Sequence, residues 1–128
     1  MAEADERAAR GRAAFASQFR LTEDEAVAEL ERMVGKRMAA EAINAAAGAW
    51  VDDSLSLRDR SLVVLAALVA VGGLEARLRT HVRWALDHGV TAEELDAMGA
   101  LLAVYVGFGR ASVAMEAIRM VVAEERSG

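Results

Sequence analysis

The chain contains no proline, and this absence constrains its fold more than any other feature of the sequence. Proline interrupts helices more strongly than any other residue, so segments rich in Ala, Leu, Arg and Glu can here continue until a glycine or a turn ends them. With 128 residues the chain has the usual size of one globular domain, and no segment shows the alternating pattern of a strand. The sequence therefore predicts an all-α protein.

Helix starts are marked by a hydroxyl residue followed three positions later by an acid, because both side chains can bond backbone N–H groups that the first helical turn leaves unpaired. These pairs are Thr22 with Glu25, Ser56 with Asp59, and Thr91 with Glu94. Glycines mark the stops, since a residue with left-handed backbone angles often ends a helix. The signals predict six helices, at about residues 3–18, 23–48, 57–71, 74–88, 92–106 and 110–125.

Two of these helices differ from an ordinary amphipathic helix. Residues 1–20 interleave small apolar residues with arginines, which indicates a frayed terminus or an arm that packs only in an oligomer. We therefore expect an N-terminal helical arm, residues 1–20, followed by a helical domain, residues 21–128. The 57–71 helix is apolar nearly all round, which predicts a central, buried helix. Side chains at helical spacing should pack against it: Leu95, Met98, Leu102, Tyr105, Val113, Ala117, Ile118 and Val121.

Charge and cysteine content exclude several classes of function. A formal net charge of −5 argues against binding to a phosphate backbone, so we expect no nucleic-acid partner. Without cysteine the chain has no disulfide, no thiolate metal ligand and no thiol chemistry.

The N-terminus is acidic and lacks the apolar core of a signal peptide, and the longest apolar run, residues 62–74, is too short to span a bilayer. These features predict a cytoplasmic protein with no membrane partner.

The candidate functional residues lie on the predicted 74–88 helix. Its two histidines, His81 and His88, are the side chains whose ordinary pKa lies near neutral pH. A helical wheel places Arg77 and Trp84 with them along one flank of the apolar face. A flank position is held by packing yet can reach a cavity, so His81 is the candidate catalytic residue; the alternative is a structural histidine that bonds a carbonyl of a neighbouring helix. His88 lies at the predicted helix end, which favours a structural role there.

Other polar and aromatic residues have two open interpretations each. Arg58 and Arg60 could clamp an anion, or they could pair with nearby aspartates. Trp50, Tyr105 and Phe108 could line a site or fill the core. The two histidines are seven residues apart, a spacing that does not match a two-histidine metal motif, so no metal is expected.

Four stretches after residue 49 form a pattern that none of them forms alone. They are Trp50 with Leu55, residues 60–68 (RSLVVLAAL), residues 78–81 (LRTH) followed by residues 85–95 (ALDHGVTAEEL), and residues 103–108 (AVYVGF). In this pattern the chain resembles the carboxymuconolactone decarboxylase family, which belongs to the same superfamily as the alkylhydroperoxidase D-like proteins. The resemblance implies an all-helical subunit that assembles as a homotrimer or as a hexamer of two trimers, with a pocket near the subunit interface.

The resemblance also implies a reaction that needs no cofactor, namely loss of CO2 from a carboxylated unsaturated lactone or from a related enolisable small acid. His81 would be its general acid or base, and Arg77 would hold a carboxylate or the developing oxyanion. The side chains that would bind the small-molecule substrate are Trp84, Tyr105, Phe108, Trp50 and Arg60.

The peroxidase branch of the superfamily uses a C-x-x-C-x-x-x-H motif whose histidine corresponds to His81. Its cysteine positions hold Leu74 and Arg77 here, so we expect no hydroperoxide reduction. Decarboxylase-like relatives often carry a second histidine near the position of Leu101, which is apolar in this chain.

Two other functions stay open: a non-catalytic small-molecule-binding or assembly protein of the same fold, and a tailoring enzyme on a larger aromatic or polyketide-like substrate. A pocket lined by His81 and Arg77 would favour the decarboxylase-like enzyme. A closed apolar interior around Leu101 would favour the non-catalytic protein, and a wider, mainly apolar pocket would favour the tailoring enzyme.

Overall fold

A computed structural model describes residues 2–127, and these residues form seven α-helices and no strand. In chain order the helices are α1 (Ala2–Phe19), α2 (Glu23–Val34), α3 (Lys36–Ala49), α4 (Leu57–Val71), α5 (Glu75–Asp87), α6 (Ala92–Val106) and α7 (Phe108–Ser127). The all-α prediction is confirmed over this range. The chain divides into two compact units, one ending at Ser54 and one beginning at Leu55.

Glycine geometry explains why the described residues form seven helices where six were predicted. Gly35 has a φ of 86°, a left-handed backbone angle that separates α2 from α3 within the single helix predicted for residues 23–48. Gly107, with a φ of 98°, ends α6 in the same way, so α7 begins at Phe108 and not at residue 110.

The predicted capping pairs fix where α2, α4 and α6 begin. Thr22 and Thr91 each form a complete capping box with the glutamate three residues later. Ser56 accepts a hydrogen bond at 3.1 Å from the backbone N–H of Asp59. The three helix starts predicted from sequence are therefore confirmed.

In the first unit α1 packs against α2 and α3. The closest approach is at Gly11, which is buried against the backbone of Ile43. Further along α1, Phe15 and Phe19 stack with their ring centroids 5.9 Å apart. The first helix is thus packed within its own chain, in contrast to the frayed terminus or oligomer-only arm that its pattern indicated. The core of this unit consists of Leu30, Ala39 and Ile43, with Ala8, Phe15, Phe19, Val27, Val34 and Ala42 around them.

In the second unit α4, α5, α6 and α7 share one larger core. Its buried side chains are Leu65, Val69, Leu78, Val82, Ala85, Val90, Leu95, Ala114, Ala117, Ile118 and Val121. No helix of residues 2–127 combines the length and the apolar character that crossing a membrane requires.

Two packing predictions for this unit are wrong. The α4 helix is not fully buried, since Val63 and Val71 are exposed. Tyr105 and Val113 are exposed as well, so neither side chain is buried against α4 as predicted. The reason is that each helix presents one face to the shared core, while the opposite apolar faces of α4 and α6 remain on the surface of the chain.

Candidate active site

The predicted catalytic residues His81 and Arg77 lie on α5 together with Trp84, and the packing of this helix sets the direction of their side chains. Its buried residues are Leu78, Val82 and Ala85. Because residues three or four positions apart share a helix face, these three hold the neighbouring flank at the edge of the core. His81 and Trp84 are half-buried on that flank, whereas Arg77, one turn before His81, is exposed.

The ring of Trp84 meets the ring of His81 edge-on. Their centroids are 4.7 Å apart and their planes make an angle of 77°. This is one of the preferred geometries for a pair of aromatic rings, and the indole excludes water from one side of the imidazole. His81 is therefore held in position by its helical neighbour and is only partly accessible to water.

Burial, and to a smaller extent the nearby charge of Arg77, lower the pKa of His81 from 6.5 to about 4. Burial acts because the protonated imidazolium loses hydration, and Arg77 acts because two positive charges repel each other. At neutral pH the imidazole is consequently uncharged, with one ring nitrogen as a hydrogen-bond donor and the other as an acceptor.

Stability should therefore depend on the protonation of His81. The unfolded chain takes up this proton near pH 6.5 and the folded chain only near pH 4, so between these values the unfolded state binds more protons. The stabilising contribution is complete above about pH 6.5 and is lost as the pH falls toward 4. We expect the free energy of unfolding to decrease by up to about 1.4 kcal/mol per pH unit more in the wild type than in His81→Gln. Denaturant unfolding across this range measures the difference, and parallel pH curves would contradict it.

His88 is the C-cap residue of α5, the structural position that the sequence indicated. Its Nδ1 lies 2.7 Å from the Oγ of Ser61 on α4. Ser61 is only 2% exposed, so the hydrogen bond satisfies a hydroxyl whose burial would otherwise be costly. The sequence analysis did not identify Ser61 as a candidate. The available signal was its position four residues before Leu65, which places its hydroxyl on the same, buried face of α4. The bond ties the end of α5 to α4.

The other predicted substrate-binding residues belong to other elements: Arg60 to α4, Tyr105 to α6, Phe108 to α7, and Trp50 to the end of α3. Tyr105 and Phe108 are 79% and 76% exposed in the single chain, so neither is enclosed by its own subunit. Arg60 donates from Nε to the backbone oxygen of Leu55 at 2.9 Å, which directs its guanidinium to the loop before α4. Trp50 is the half-buried C-cap residue of α3 and belongs to the first unit.

The second proposed anion clamp, Arg58, is already paired. Its guanidinium lies 3.3 Å from the carboxylate of Asp59, which agrees with the predicted pairing to a nearby aspartate. It also contacts the carboxylate of Glu94. Within the described part of the chain, no group of three or more His, Asp or Glu side chains is arranged to hold a metal ion.

A cavity of about 380 Å³ begins one turn before His81 and is lined on α5 by Leu74, Glu75 and Leu78. This volume falls within the range of small-molecule sites, although His81 is not one of the lining residues. Leu101 is 61% exposed, so no closed interior surrounds it within the single chain.

These features define an all-helical protein whose candidate reactive group is an uncharged histidine at the edge of a helical core. The model of the carboxymuconolactone decarboxylase family matches residues 38–120, more than half of the chain, and the protein belongs to this family. The match includes all of α4, α5 and α6, and with them His81. No curated protein and no solved structure matches the sequence.

Proposed function

We propose that this protein is a cofactor-free, decarboxylase-like enzyme that acts on a carboxylated unsaturated lactone or a related enolisable small acid. The observation that carries the proposal is the uncharged, half-buried imidazole of His81 beside the cation of Arg77, within the part of the chain that matches the family.

The chemistry needs a group at the oxygen on which negative charge collects. When CO2 leaves such a lactone, the electron pair left behind spreads into the conjugated carbonyl and forms an enolate. An uncharged imidazole can donate a hydrogen bond from its N–H to this oxygen. The low pKa of His81 keeps the ring uncharged at neutral pH. In a decarboxylation the enolate carbon then takes up one proton from the solvent, so that each turnover consumes one proton and releases one CO2. With an enolisable acid, the other ring nitrogen of His81 can act as the base that accepts a proton from the carbon.

Arg77 and Trp84 would position the substrate around His81. The planar guanidinium of Arg77 presents paired donors that match a carboxylate. On a helix, residues four positions apart have Cβ atoms about 5 to 6 Å from each other, a span that a small lactone ring can bridge. Trp84 supplies an apolar edge that limits the water around the departing carboxylate.

Turnover of defined lactone acids tests the proposed function directly. Protein treated with a metal chelator is incubated with carboxylated unsaturated lactones, and CO2 release and product mass are followed in time. We expect release of one CO2 per substrate consumed. Saturable binding of these acids without any CO2 release would instead support a non-catalytic binding protein.

We further propose that the chain assembles as a homotrimer or as a hexamer of two trimers. No charged residue occurs between Asp96 and Arg110, so from residue 97 onward the outer side of α6 is apolar. Leu101, Val104 and Tyr105 lie on that outer side and are 61%, 71% and 79% exposed. An exposed apolar patch on a helix is typical of a surface that is buried in a larger assembly.

The substitution Val104→Glu should convert this assembly into a folded monomer. Val104 makes little contact within its own chain, so a charge there should leave the helical circular dichroism unchanged and act only between chains. Light scattering should give three or six subunits for the wild type and about 13.6 kDa for the variant. Met38→Glu, at an exposed position on α3, is the control and should keep the wild-type mass. A wild-type monomer at micromolar concentration would contradict the proposed assembly.

A further inference from the structure

The cavity beside the first turn of α5 is formed where three helix ends meet. It lies between the end of α4, the start of α5 and the start of α7. Most of its wall is apolar or glycine, and the charged side chains on it are Glu75 and Arg110. The remaining lining residues are Leu68, Val69, Val71, Gly72, Gly73, Leu74, Leu78, Gly109, Val113 and Ala114.

Arg110 is fixed at the rim of this cavity by the backbone of α4. Its Nη1 donates a hydrogen bond of 2.7 Å to the carbonyl oxygen of Ala70, in the last turn of that helix. Its side chain lies across Gly72, where a Cβ atom would be 3.4 Å from both Cγ and Nε of the arginine. The contact holds the guanidinium in place and uses one of its five donors, so donors remain for a ligand.

Charge pairing around Arg110 is incomplete. Other arginines of the second unit, such as Arg83 and Arg119, lie within 4.0 Å of carboxylates. Arg110 has no carboxylate partner among residues 2–127, and Glu75, although it lines the same cavity, forms no ion pair with it. A fixed cation at the edge of an apolar cavity is complementary to an anion with an apolar body.

We propose that this cavity binds a small molecule with an apolar ring or chain and a single carboxylate. The carboxylate pairs with Arg110, and the apolar body lies against Leu74, Leu78 and Val113. The carboxylate of Glu75 disfavours a second negative charge on the ligand, so a monoacid binds better than a diacid of the same size. The proposal concerns binding in this cavity alone and does not depend on chemistry at His81.

Three probes that share a cyclohexyl ring but differ in the charge of the head group test whether the cavity prefers an anion. They are cyclohexanecarboxylate, its neutral amide, and cyclohexylmethylamine, titrated into the wild-type protein by calorimetry with NMR detection of the methyl groups of Leu74, Leu78 and Val113. We expect the carboxylate to bind at least about tenfold more tightly than the amide, and its affinity to fall as salt is added. Equal affinities for the three probes would overturn the proposal.

Substitutions identify the residues responsible. Arg110→Gln should weaken cyclohexanecarboxylate binding about tenfold or more, whereas Arg110→Lys, which keeps the charge, should bind with intermediate affinity. The matched control is Arg119→Gln, on the same helix but paired with Asp96 and outside this cavity, and it should bind as the wild type does. Equal weakening by Arg110→Gln and Arg119→Gln would show that only the general charge of the surface matters.

Glu75→Gln keeps the proposal testable if loss of the Arg110 contact with α4 destabilises the fold. Removing this carboxylate should strengthen binding of cyclohexanecarboxylate about two- to fivefold, because it removes a repelling charge from the rim. Weaker binding of the carboxylate, together with loss of any amine binding, would mean that Glu75 is the group that receives the ligand and would overturn the assignment to Arg110.

Discussion

His81→Gln is expected to lower kcat/KM for a carboxylated unsaturated lactone by about 100- to 10,000-fold, with the fold retained. Glutamine keeps a polar side chain at the half-buried position, and its amide can donate a hydrogen bond but cannot accept a proton as an imidazole can. Steady-state kinetics and thermal unfolding of both proteins measure the two effects separately. A folded His81→Gln protein that turns over substrate at the wild-type rate would show that the catalytic role of His81 is wrong.

His88→Ala is the matched control for this experiment, because His88 lies two turns further along the same helix. Its loss removes the hydrogen bond to Ser61 and should cost about 1 to 3 kcal/mol of stability, while turnover stays within a few-fold of the wild type. Equal losses of kcat/KM in the two histidine variants would mean that both act through the structure of α5.

Arg77→Ala separates substrate binding from the electrostatics of His81. Loss of the guanidinium should raise KM, and it should also raise the pKa of His81, because the neighbouring positive charge has gone. The pKa should stay below its ordinary value, since burial is the larger cause of the shift. An NMR titration of the His81 ring in both proteins provides this measurement.

Helix starts could be predicted from sequence because their determinants are local. Thr22, Ser56 and Thr91 each bond a backbone N–H three residues away, so the residues that decide the structure are adjacent in the chain. The break at Gly35 was missed because helical apolar spacing continues across it, and glycine is compatible with either a helical or a left-handed backbone angle.

The neighbour that covers a helix face could not be predicted in the same way. Val63 and Tyr105 have the spacing of buried positions, yet both are exposed, because periodicity identifies an apolar face without identifying what packs on it. The flank that holds His81 and Trp84 was found because a helical wheel is local information. The Ser61–His88 bond joins residues 27 positions apart and exists only once α4 packs on α5.

Gly11→Ala is expected to destabilise the first unit by about 3 kcal/mol or more, a large effect for one added methyl group. A Cβ atom at Gly11 would clash with the carbonyl oxygen of Ile43 and lie 2.6 Å from the carbonyl carbon and 2.8 Å from Cγ2 of that residue. Two of these three atoms are helix backbone, so no side-chain movement relieves the clash. The α1 and α3 helices must separate, and the packing of Phe15 against this core is then lost as well.

Gly48→Ala is the control, because it adds the same methyl group at an exposed position of α3. The nearest atoms to its Cβ are the guanidinium nitrogens of Arg7, at 3.4 and 3.9 Å, and this flexible side chain can move aside. Replacing a helical glycine should then stabilise the unit by about 0.5 to 1 kcal/mol. Both variants replace a helical glycine with alanine, so the large difference expected between them reports the packing of α1 on α3. Hydrogen exchange of the amides in α1–α3 can follow this packing. If Gly11→Ala stabilised the protein as Gly48→Ala does, α1 would not be packed on α3 in solution, and residues 1–20 would be a loose arm after all.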